Sequence, residues 1–411
     1  MRQKFINFNI DTNFKNQKII VIILRKVYGE LDWMIPIITE LNKDYTIIAI
    51  IENSNYLKLL KKNKFLYNLF VQNFHGAIVE NKINGLFFRS FLKVCKIFLS
   101  KNYYNQILEK STKWYYAVQE IINLIKHNFN IKNLESLNVF VSYDNLFNNW
   151  ENQIRKNYSI KTFYFPSSCS LKPKKIDIKN SQIKKEKNKY LLISNYLDSN
   201  YWEDFYPQLI QHVVGYPRFS KNWIKNFRNS KKENDTIRVY LSYRDLSYLG
   251  SFWFKKSITQ LQTIIKNLHF LEKNFEILVK THPHTDQNKI KKFLKDEKKI
   301  KYIFSDQQQQ EICKDCRFSI NFYGSASIMD SLSTNTSAVE MWKLSDDDIQ
   351  SPYKEYKLSF YVKNEEEFKD TIKGFVNNDN LIKKASEEKF KIFEKLCQNT
   401  NSVLLFRQIL S

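Results

Sequence analysis

Short apolar runs alternate with longer stretches of helical periodicity along most of the chain. The first run is Ile19–Leu24, a helical pattern follows over 30–41, and a second apolar run covers 45–51. Strands that alternate with helices are typical of βαβ units around a parallel sheet. The pattern therefore predicts that the chain opens with half of a doubly wound α/β domain.

The rest of the first half continues this rhythm less regularly. It predicts helices over 56–70 and 86–126 and strands over 137–143, 162–165, 190–194 and 212–214. Between 170 and 189 the chain is rich in lysine and lacks aromatic residues, which indicates a basic linker. We place an N-terminal Rossmann-like domain at 1–215.

The second half has a more regular alternation. It predicts strands over 237–243, 275–280, 301–304, 318–322 and 337–341, and helices over 257–271, 287–294, 307–314 and 326–332. Ser305 and Gln308 have the spacing of a capping box at a helix start. We place a C-terminal Rossmann-like domain at 216–380, and helices over 381–411 that pack near the junction.

Length and charge narrow the functional classes. A chain of 411 residues exceeds what one core usually supports, which favours two domains. With 65 Lys and Arg against 42 Asp and Glu, the net charge is +23 and favours phosphate-bearing or acidic partners. The lysines are dispersed and the basic linker lacks aromatic residues for stacking on bases, so nucleic acid is not expected as a partner.

Residues 1–18 lack a sustained apolar core, and no uncharged apolar run approaches the roughly 20 residues that span a bilayer. These features predict a cytoplasmic protein, with the inner face of the cell membrane as a candidate docking surface. Over 86–100, Arg89, Lys93 and Lys96 share one helical face, a pattern compatible with an anionic membrane. Packing of this helix on its own sheet is the favoured alternative.

Five cysteines, an odd number, indicate reduced thiols. Cys313 and Cys316 have the spacing of half a zinc site, but no second Cys or His pair lies at a usable distance. We therefore expect buried cysteines and no bound metal.

A His-Pro loop follows the predicted strand over 275–280. Lys280, His282 and His284 lie there, and Pro283 biases His282 toward an extended conformation. At the edge of a sheet, an ammonium and an imidazole can contact a nucleotide phosphate, and the imidazole can protonate a departing phosphate oxygen. A surface loop with two histidines is the alternative, and we favour a site led by His282.

A turn of small residues connects the predicted strand over 318–322 to the next helix. Gly324 lets a phosphate approach the backbone, while Ser325, Ser327 and the first N–H groups of the helix can bind an anion. Simple helix capping by serine is the alternative. Its combination with the His-Pro loop favours phosphate binding.

Two arginines are further candidates for the donor phosphate. Arg218 follows Gly215 and Pro217 at the junction and can pair with phosphate bidentately. A purely structural hinge explains this segment equally well. Arg244 follows the predicted strand over 237–243 and is a weaker candidate for the same cleft.

Carboxylates after N-terminal strands are candidates for a general base. Glu30 and Asp32 follow the first strand, where one of them could take the proton of an acceptor hydroxyl. Favourable charges at a helix N-terminus are the alternative. Asp144, at another strand end, is a further candidate.

Two motifs carry a family resemblance. Residues 280–283 (Lys-Thr-His-Pro) and 323–327 (Tyr-Gly-Ser-Ala-Ser) resemble the His-Pro and Ser-rich motifs of bacterial capsule-type transferases. These include sialyltransferases, Kdo transferases of capsule synthesis and glycerol-phosphate polymerases of teichoic acid. Residues 214–219 resemble the junction segment of such proteins. Over 322–325 the chain has Phe-Tyr-Gly-Ser, where the polyol-phosphate polymerases carry Asp-Tyr-Ser-Ser.

The resemblance implies a GT-B fold, in which an acceptor-side and a donor-side Rossmann-like domain face a central cleft. It implies transfer of a sugar from a nucleotide donor, with a CMP-linked acidic sugar as one candidate, to a polysaccharide or lipid-linked acceptor. His282, Ser325 and Ser327 would contact the donor phosphate, and no cofactor or obligatory metal is implied. Transfer of a polyol phosphate from a CDP-linked donor, 2-epimerisation of a sugar nucleotide and a non-catalytic binding role remain alternatives.

Overall fold

The structure, a computed structural model, describes residues 3–8, 18–24, 28–51, 54–80, 136–142, 159–166, 188–228, 237–244, 251–271, 275–282, 285–295, 300–322, 324–341, 351–397 and 401–410. The helix predicted over 86–126, most of the basic linker, His284 and Asp144 lie outside these ranges. Within them, no helix combines the length and apolar character that crossing a bilayer would require.

The first sheet contains eight described strands, in the spatial order β1-β4-β3-β2-β5-β6-β7-β8. They are β1 (Gln3–Asn7), β2 (Ile19–Leu24), β3 (Thr46–Ile51), β4 (Gly76–Glu80), β5 (Ser136–Ser142), β6 (Ser159–Phe165), β7 (Lys189–Ile193) and β8 (Ile210–Val213). All neighbours are parallel except β1 and β4. From β4 onward the sheet has a doubly wound order, with its reversal between β2 and β5.

Five described helices belong to this part of the chain. They are α1 (Tyr28–Leu41), α2 (Ser54–Lys62), α3 (Lys64–Asn73), α4 (Ser199–Phe205) and α5 (Lys221–Ile224). The helical prediction over 56–70 is confirmed, although the chain breaks at Asn63 and forms two helices there. The side-chain oxygen of Asn63 accepts a hydrogen bond from the backbone N–H of Leu66 at 3.2 Å and begins a second helix there.

The second sheet contains six described strands, all parallel, in the order β11-β10-β9-β12-β13-β14. They are β9 (Ile237–Tyr243), β10 (Phe275–Thr281), β11 (Lys301–Phe304), β12 (Phe318–Asn321), β13 (Ser337–Glu340) and β14 (Phe360–Tyr361). This order is doubly wound, with its reversal between β9 and β12. The chain therefore forms two Rossmann-like α/β domains.

Helices cover the second sheet and continue beyond it. They are α6 (Ser251–Leu268), α7 (Gln287–Lys295), α8 (Gln309–Cys313), α9 (Ser327–Ser333), α10 (Pro352–Glu355), α11 (Glu365–Val376), α12 (Asn380–Cys397) and α13 (Ser402–Leu410). The last helix packs on the first sheet, since the ring of Phe406 lies 5.8 Å from that of Trp33 and 6.0 Å from that of Phe140.

The segment that directly follows β8, residues 214–227, packs largely on the first domain. Phe65 of α3 contacts the rings of Trp223 at 6.0 Å and Phe227 at 5.2 Å. The 3-10 turn Pro217–Phe219 contacts α12 through Phe219 and Phe393, whose centroids are 5.5 Å apart. These contacts join the two sheets through one apolar core, and the division at 215 stays a prediction.

Candidate functional site

The strand register of the second sheet brings three predicted loops together at one edge. In the parallel ladder, Thr281 of β10 pairs with Tyr243 of β9, and Asn321 of β12 pairs with Ser242 of β9. The backbone N–H of His282 also donates to the carbonyl oxygen of Tyr243 at 2.8 Å. Neighbouring strands lie about 4.8 Å apart, so His282 and the turn after β12 are separated by about 10 Å.

This edge is also where the strand order reverses. In doubly wound sheets the loops on either side of the reversal diverge to opposite faces and leave a crevice for ligands at the carboxyl ends of the strands. Arg244, which is exposed, follows β9 directly and lies between the other two loops. The position alone favours a ligand site here.

Serine hydroxyls are clustered on the β12 side of the reversal. The Oγ atoms of Ser325 and Ser327 are 2.6 Å apart, and Ser325 Oγ lies 3.4 Å from Ser242 Oγ. Ser327 Oγ donates to the side-chain oxygen of Asn321 at 2.7 Å. These contacts fix the rotamer of Ser327 and leave the half-buried Ser325 as the hydroxyl nearest to solvent.

The turn itself depends on Gly324. Its φ of +68° is in the left-handed region that favours glycine. Its backbone N–H donates to Glu340 Oε1 at 3.1 Å, and hydroxyls of Ser351 and Ser359 also bind this carboxylate. Burial raises the pKa of Glu340, against the lowering effect of these three hydrogen bonds. The buried Glu340 therefore holds the backbone of the turn in place through the N–H of Gly324.

Several backbone N–H groups of this turn donate to acceptors within the protein. Those of Ile328 and Met329 donate to the carbonyl oxygens of Ser325 and Ala326 at 3.2 and 3.0 Å. That the first N–H groups of the helix bind the phosphate stays a prediction. Anion binding by the hydroxyls of Ser325 and Ser327 likewise stays a prediction.

A carboxylate of the first domain reaches the second domain. Asp32 lies on α1, which begins after β2 at the carboxyl edge of the first sheet. Gln308 Nε2 donates to its Oδ1 at 2.6 Å, and Arg218 donates to its Oδ2 at 2.9 Å. Burial raises the pKa of Asp32, and the charge of Arg218 opposes that shift.

Arg218 lies between two buried carboxylates. It contacts Asp330 of α9 at 2.6 Å, with 7% and 2% of the two side chains exposed. Burial raises the pKa of Asp330 to about 7, although the charge of Arg218 opposes the shift. A phosphate would have to compete with Asp32 and Asp330 for this guanidinium, so the role of Arg218 in donor binding stays a prediction.

Lys280 joins the same charged cluster from β10. Its Nζ donates to the backbone carbonyl of Gln307, the residue before the Asp32 partner Gln308. Burial lowers the pKa of Lys280, and the charges of Asp32 and Asp306 oppose that shift. The ammonium therefore lies between the His-Pro loop and the contact of the two domains.

Sequence reasoning missed Gln308 and Asp330. Gln308 also accepts a hydrogen bond from Asn63 of the first domain at 3.2 Å. The two residues are 245 positions apart, so no local sequence pattern could reveal this contact. The predicted capping box of Ser305 and Gln308 was misplaced by one turn. The backbone N–H of Gln308 donates to Glu311 at 3.1 Å, and Gln308 uses its amide between the domains.

The remaining candidates are two carboxylates, a histidine and the cysteine pair. The side chain of Glu30 is fully buried within the first domain, whereas Asp32 reaches the junction. His284 and Asp144 lie outside the described residues. Cys313 and Cys316 are buried, and Cys313 lies 3.5 Å from Ser331 Oγ. Among the described residues, no three His, Cys, Asp or Glu side chains are arranged to hold a metal ion.

Sequence comparison alone finds no relatives: no protein-family model matches, and no curated protein matches significantly. Solved structures do match. A glycosyltransferase from Rickettsia africae is 13% identical, with a TM-score of 0.52 and coverage of 96% of this chain and 97% of that chain.

Two further structures are similar over most of their length. Phytolacca americana UGT2, complexed with UDP-2fluoro-glucose and pterostilbene, is 9% identical, with a TM-score of 0.54 and coverage of 95% and 98%. The Methanocaldococcus jannaschii UDP-GlcNAc 2-epimerase, in complex with UDP-GlcNAc and UDP, is 13% identical, with a TM-score of 0.51 and coverage of 87% and 93%. The likeness confirms the predicted fold class of two Rossmann-like domains in the GT-B arrangement. At these identities it concerns the fold, which glycosyltransferases and sugar-nucleotide epimerases share.

Proposed function

We propose that this protein is a glycosyltransferase that uses a nucleotide-activated sugar as donor. The observation that carries the proposal is the convergence of His282, Ser325 and Lys280 on the reversal point of the second sheet, opposite Asp32 of the first domain. Cationic groups and hydroxyls on one side suit a diphosphate or monophosphate, and a carboxylate on the other suits an acceptor hydroxyl.

The donor side divides into two roles. Ser325 Oγ donates a hydrogen bond to a non-bridging oxygen of the phosphate, and Arg244 and Lys280 attract its charge. His282 lies across β9 from this turn and protonates the phosphate oxygen as the bond from that oxygen to the anomeric carbon breaks. Small side chains at the turn allow the phosphate to approach.

The acceptor side depends on Asp32. The acceptor hydroxyl attacks the anomeric carbon and transfers its proton to the Asp32 carboxylate, whose pKa burial raises, which makes it a stronger base than an exposed aspartate. Gln308 and Arg218 orient the two carboxylate oxygens, which fixes the direction from which a proton can arrive. Glu30 is the less suitable base because its side chain is fully buried.

Donor and acceptor are proposed more specifically by resemblance. The capsule-type motifs favour a CMP-linked acidic sugar and a surface polysaccharide or glycolipid acceptor. Two of the similar structures were solved with UDP sugars, so uridine donors must be tested beside cytidine donors. The proposal involves no cofactor and no metal.

A second candidate is 2-epimerisation of a sugar nucleotide, favoured by the 0.51 TM-score of the Methanocaldococcus jannaschii epimerase. Incubation of the protein with a donor in the absence of acceptor distinguishes the two reactions. An epimerised sugar nucleotide would identify the epimerase and refute the transferase. Transfer of a polyol phosphate instead requires a CDP-linked donor and leaves phosphorus in the product.

The first experiment measures thermal stability with CMP, CDP, UDP and GDP. A ligand that binds only the folded protein raises the apparent melting temperature, by an amount that grows with ligand concentration over Kd. We expect one nucleotide family to stabilise the protein selectively. Absence of a shift with every nucleotide at millimolar concentration would exclude the proposed donor site.

The second experiment tests the assigned residues with the selected donor. We expect His282→Ala to lower turnover by about 10²-fold or more, the usual contribution of a general acid, with little loss of stability. His269→Ala is the matched control. His269 is also a half-buried histidine, and it directly follows the C-terminal end of α6, away from the carboxyl edge of the sheet. Equal turnover of the two variants would refute the role of His282. Asp32→Asn and the exposed Asp44→Asn form the corresponding pair for the base.

A further inference from the structure

An exposed phenylalanine and a half-buried tryptophan lie at the start of α6, outside the site described above. Phe252 is 60% exposed, and Trp253 contacts it edge-on with ring centroids 5.7 Å apart. Few other large apolar side chains among the described residues are so open to solvent. Exposed apolar clusters with a polar rim often mark surfaces that bind proteins or membranes.

One lysine lies against these two rings, and a second lies against the next aromatic ring of α6. Lys256 Nζ lies 4.6 Å from the ring centroid of Phe252 and 5.6 Å from that of Trp253. Lys289 of the neighbouring helix α7 lies 5.6 Å from the ring centroid of Phe254. The first turns of α6 and α7 are therefore side by side, with aromatic and cationic groups interleaved.

The charged residues within the two helices have one sign, although the exposed Asp286 directly before α7 lies 3.8 Å from Lys289. Neither helix contains Asp or Glu, and together they contain seven lysines, Lys255, Lys256, Lys266, Lys289, Lys291, Lys292 and Lys295. The four lysines of α7 are all exposed, while Ile290 and Leu294 pack inward. By contrast, the equally long α12 mixes lysines with Glu387, Glu388 and Glu394.

We propose that the α6–α7 face, defined by Phe252, Trp253, Lys255, Lys256 and the four exposed lysines of α7, docks on an anionic membrane surface. Aromatic rings of this kind settle at the boundary between lipid headgroups and acyl chains. Each lysine near an anionic leaflet contributes about fivefold to binding. Long lysine stems let the charge reach the headgroups while the rings insert.

The composition of the face favours a membrane over a nucleic acid. Neither helix contains arginine, whose planar guanidinium is preferred for recognition of nucleic acids. Lysine, a compact charge, suffices for the diffuse field of a lipid surface.

Docking would also orient the molecule. α6 begins after β9, so its aromatic end lies at the carboxyl edge of the second sheet, which also presents His282 and Ser325. A membrane against this end would bring the candidate site close to lipid-borne molecules. The inference goes beyond the proposed transferase activity and does not depend on it.

The test is co-sedimentation of the full chain with vesicles of phosphatidylcholine, and with vesicles in which about a third of the lipid is phosphatidylglycerol. We expect binding to the anionic vesicles only, weakened by added salt. Absence of binding, equal binding to both vesicles, or binding only to single-stranded RNA at the same salt would overturn the proposal.

Charge-matched variants localise the surface. Lys292→Glu/Lys295→Glu should weaken anionic-vesicle binding by about 25-fold or more, from the loss of two lysines alone. Lys383→Glu/Lys384→Glu on α12 changes the net charge equally at two exposed lysines and should have a much smaller effect. Phe252→Ser should weaken binding, whereas Leu381→Ser, at a side chain that is 78% exposed, should not.

Equal losses of vesicle binding in the two double variants would show that the net charge of the protein, and not this face, determines binding. That result would refute the proposal. The nucleotide-induced thermal shift of each variant is measured in parallel. It should equal that of the unaltered protein, because no altered residue belongs to the donor site. Failure of nucleotide binding would thus refute the proposed activity and leave the vesicle result unaffected.

Discussion

Arg218 contacts Asp330 at 2.6 Å and Asp32 at 2.9 Å, and thereby links a carboxylate of the second domain to one of the first. All three side chains are nearly excluded from solvent. Buried charges are costly unless paired, and the loss of one partner leaves the others uncompensated. The junction therefore depends on a small set of charges that must be present together.

Arg218→Ala should destabilise the protein by about 3–5 kcal/mol, because it leaves two buried carboxylates without their cation. Urea unfolding at neutral pH measures this loss. Arg407→Ala is the control, since Arg407 and Asp44 form a half-exposed pair at 3.2 Å that should be worth less than about 1 kcal/mol. Similar losses in both variants would contradict the buried network.

Asp330 should make stability depend on pH. Its pKa is raised to about 7 by burial, so between its unfolded pKa near 4 and about 7 the folded state binds more protons than the unfolded state. This contribution to stability is complete at low pH and is lost as the pH rises through that window. Asp330→Asn should flatten the decline, which unfolding curves from pH 4 to 8 measure. An unchanged slope of stability against pH in Asp330→Asn would show that another group causes the decline.

Gly324 and Lys357 should respond in opposite directions to substitution. Gly324 has φ of +68°, and Lys357 has φ of +57° despite its side chain. Gly324→Ala should cost about 1–2 kcal/mol, with a smaller cost for Gly324→Asn. Lys357→Gly should be neutral or stabilising, because glycine relieves that strain. Thermal unfolding compares the three, and a stabilising Gly324→Ala would refute the assigned backbone conformation.

Phe406 should be needed for stability of the first domain. It is 1% exposed and packs against Trp33 and Phe140, so Phe406→Ala should cost about 3–5 kcal/mol. Leu404→Ala, on the same helix at 52% exposure, should change stability by about 0.5 kcal/mol or less. Urea unfolding followed by tryptophan fluorescence measures both. Comparable effects would indicate that α13 does not pack as described.

Periodicity predicted the regular strands well, and long-range contacts poorly. The bounds of β2, β9 and β11 agree with their predictions because β-branched, leucine and aromatic residues dominate each short segment and polar residues follow it. The break at Asn63 was missed, since the apolar pattern continues through it and only the cap of α3 reveals it.

The candidate site was partly predictable for the same reason. His282 and Ser325 follow strands, and parallel strands bring such residues to one edge. The partners of Asp32 could not be predicted, because Gln308 and Arg218 reach it only after both domains have folded. No periodicity or spacing within one element encodes a contact of that kind.

The position of Phe406 has a consequence for synthesis on the ribosome. Residues that cover Trp33 and Phe140 are translated long after the strands they cover, and they emerge after the whole second domain. The apolar surface around Trp33 and Phe140 therefore stays exposed to solvent while the rest of the chain is synthesised. Chaperone capture of the nascent chain should persist until residues 402–410 have left the exit tunnel.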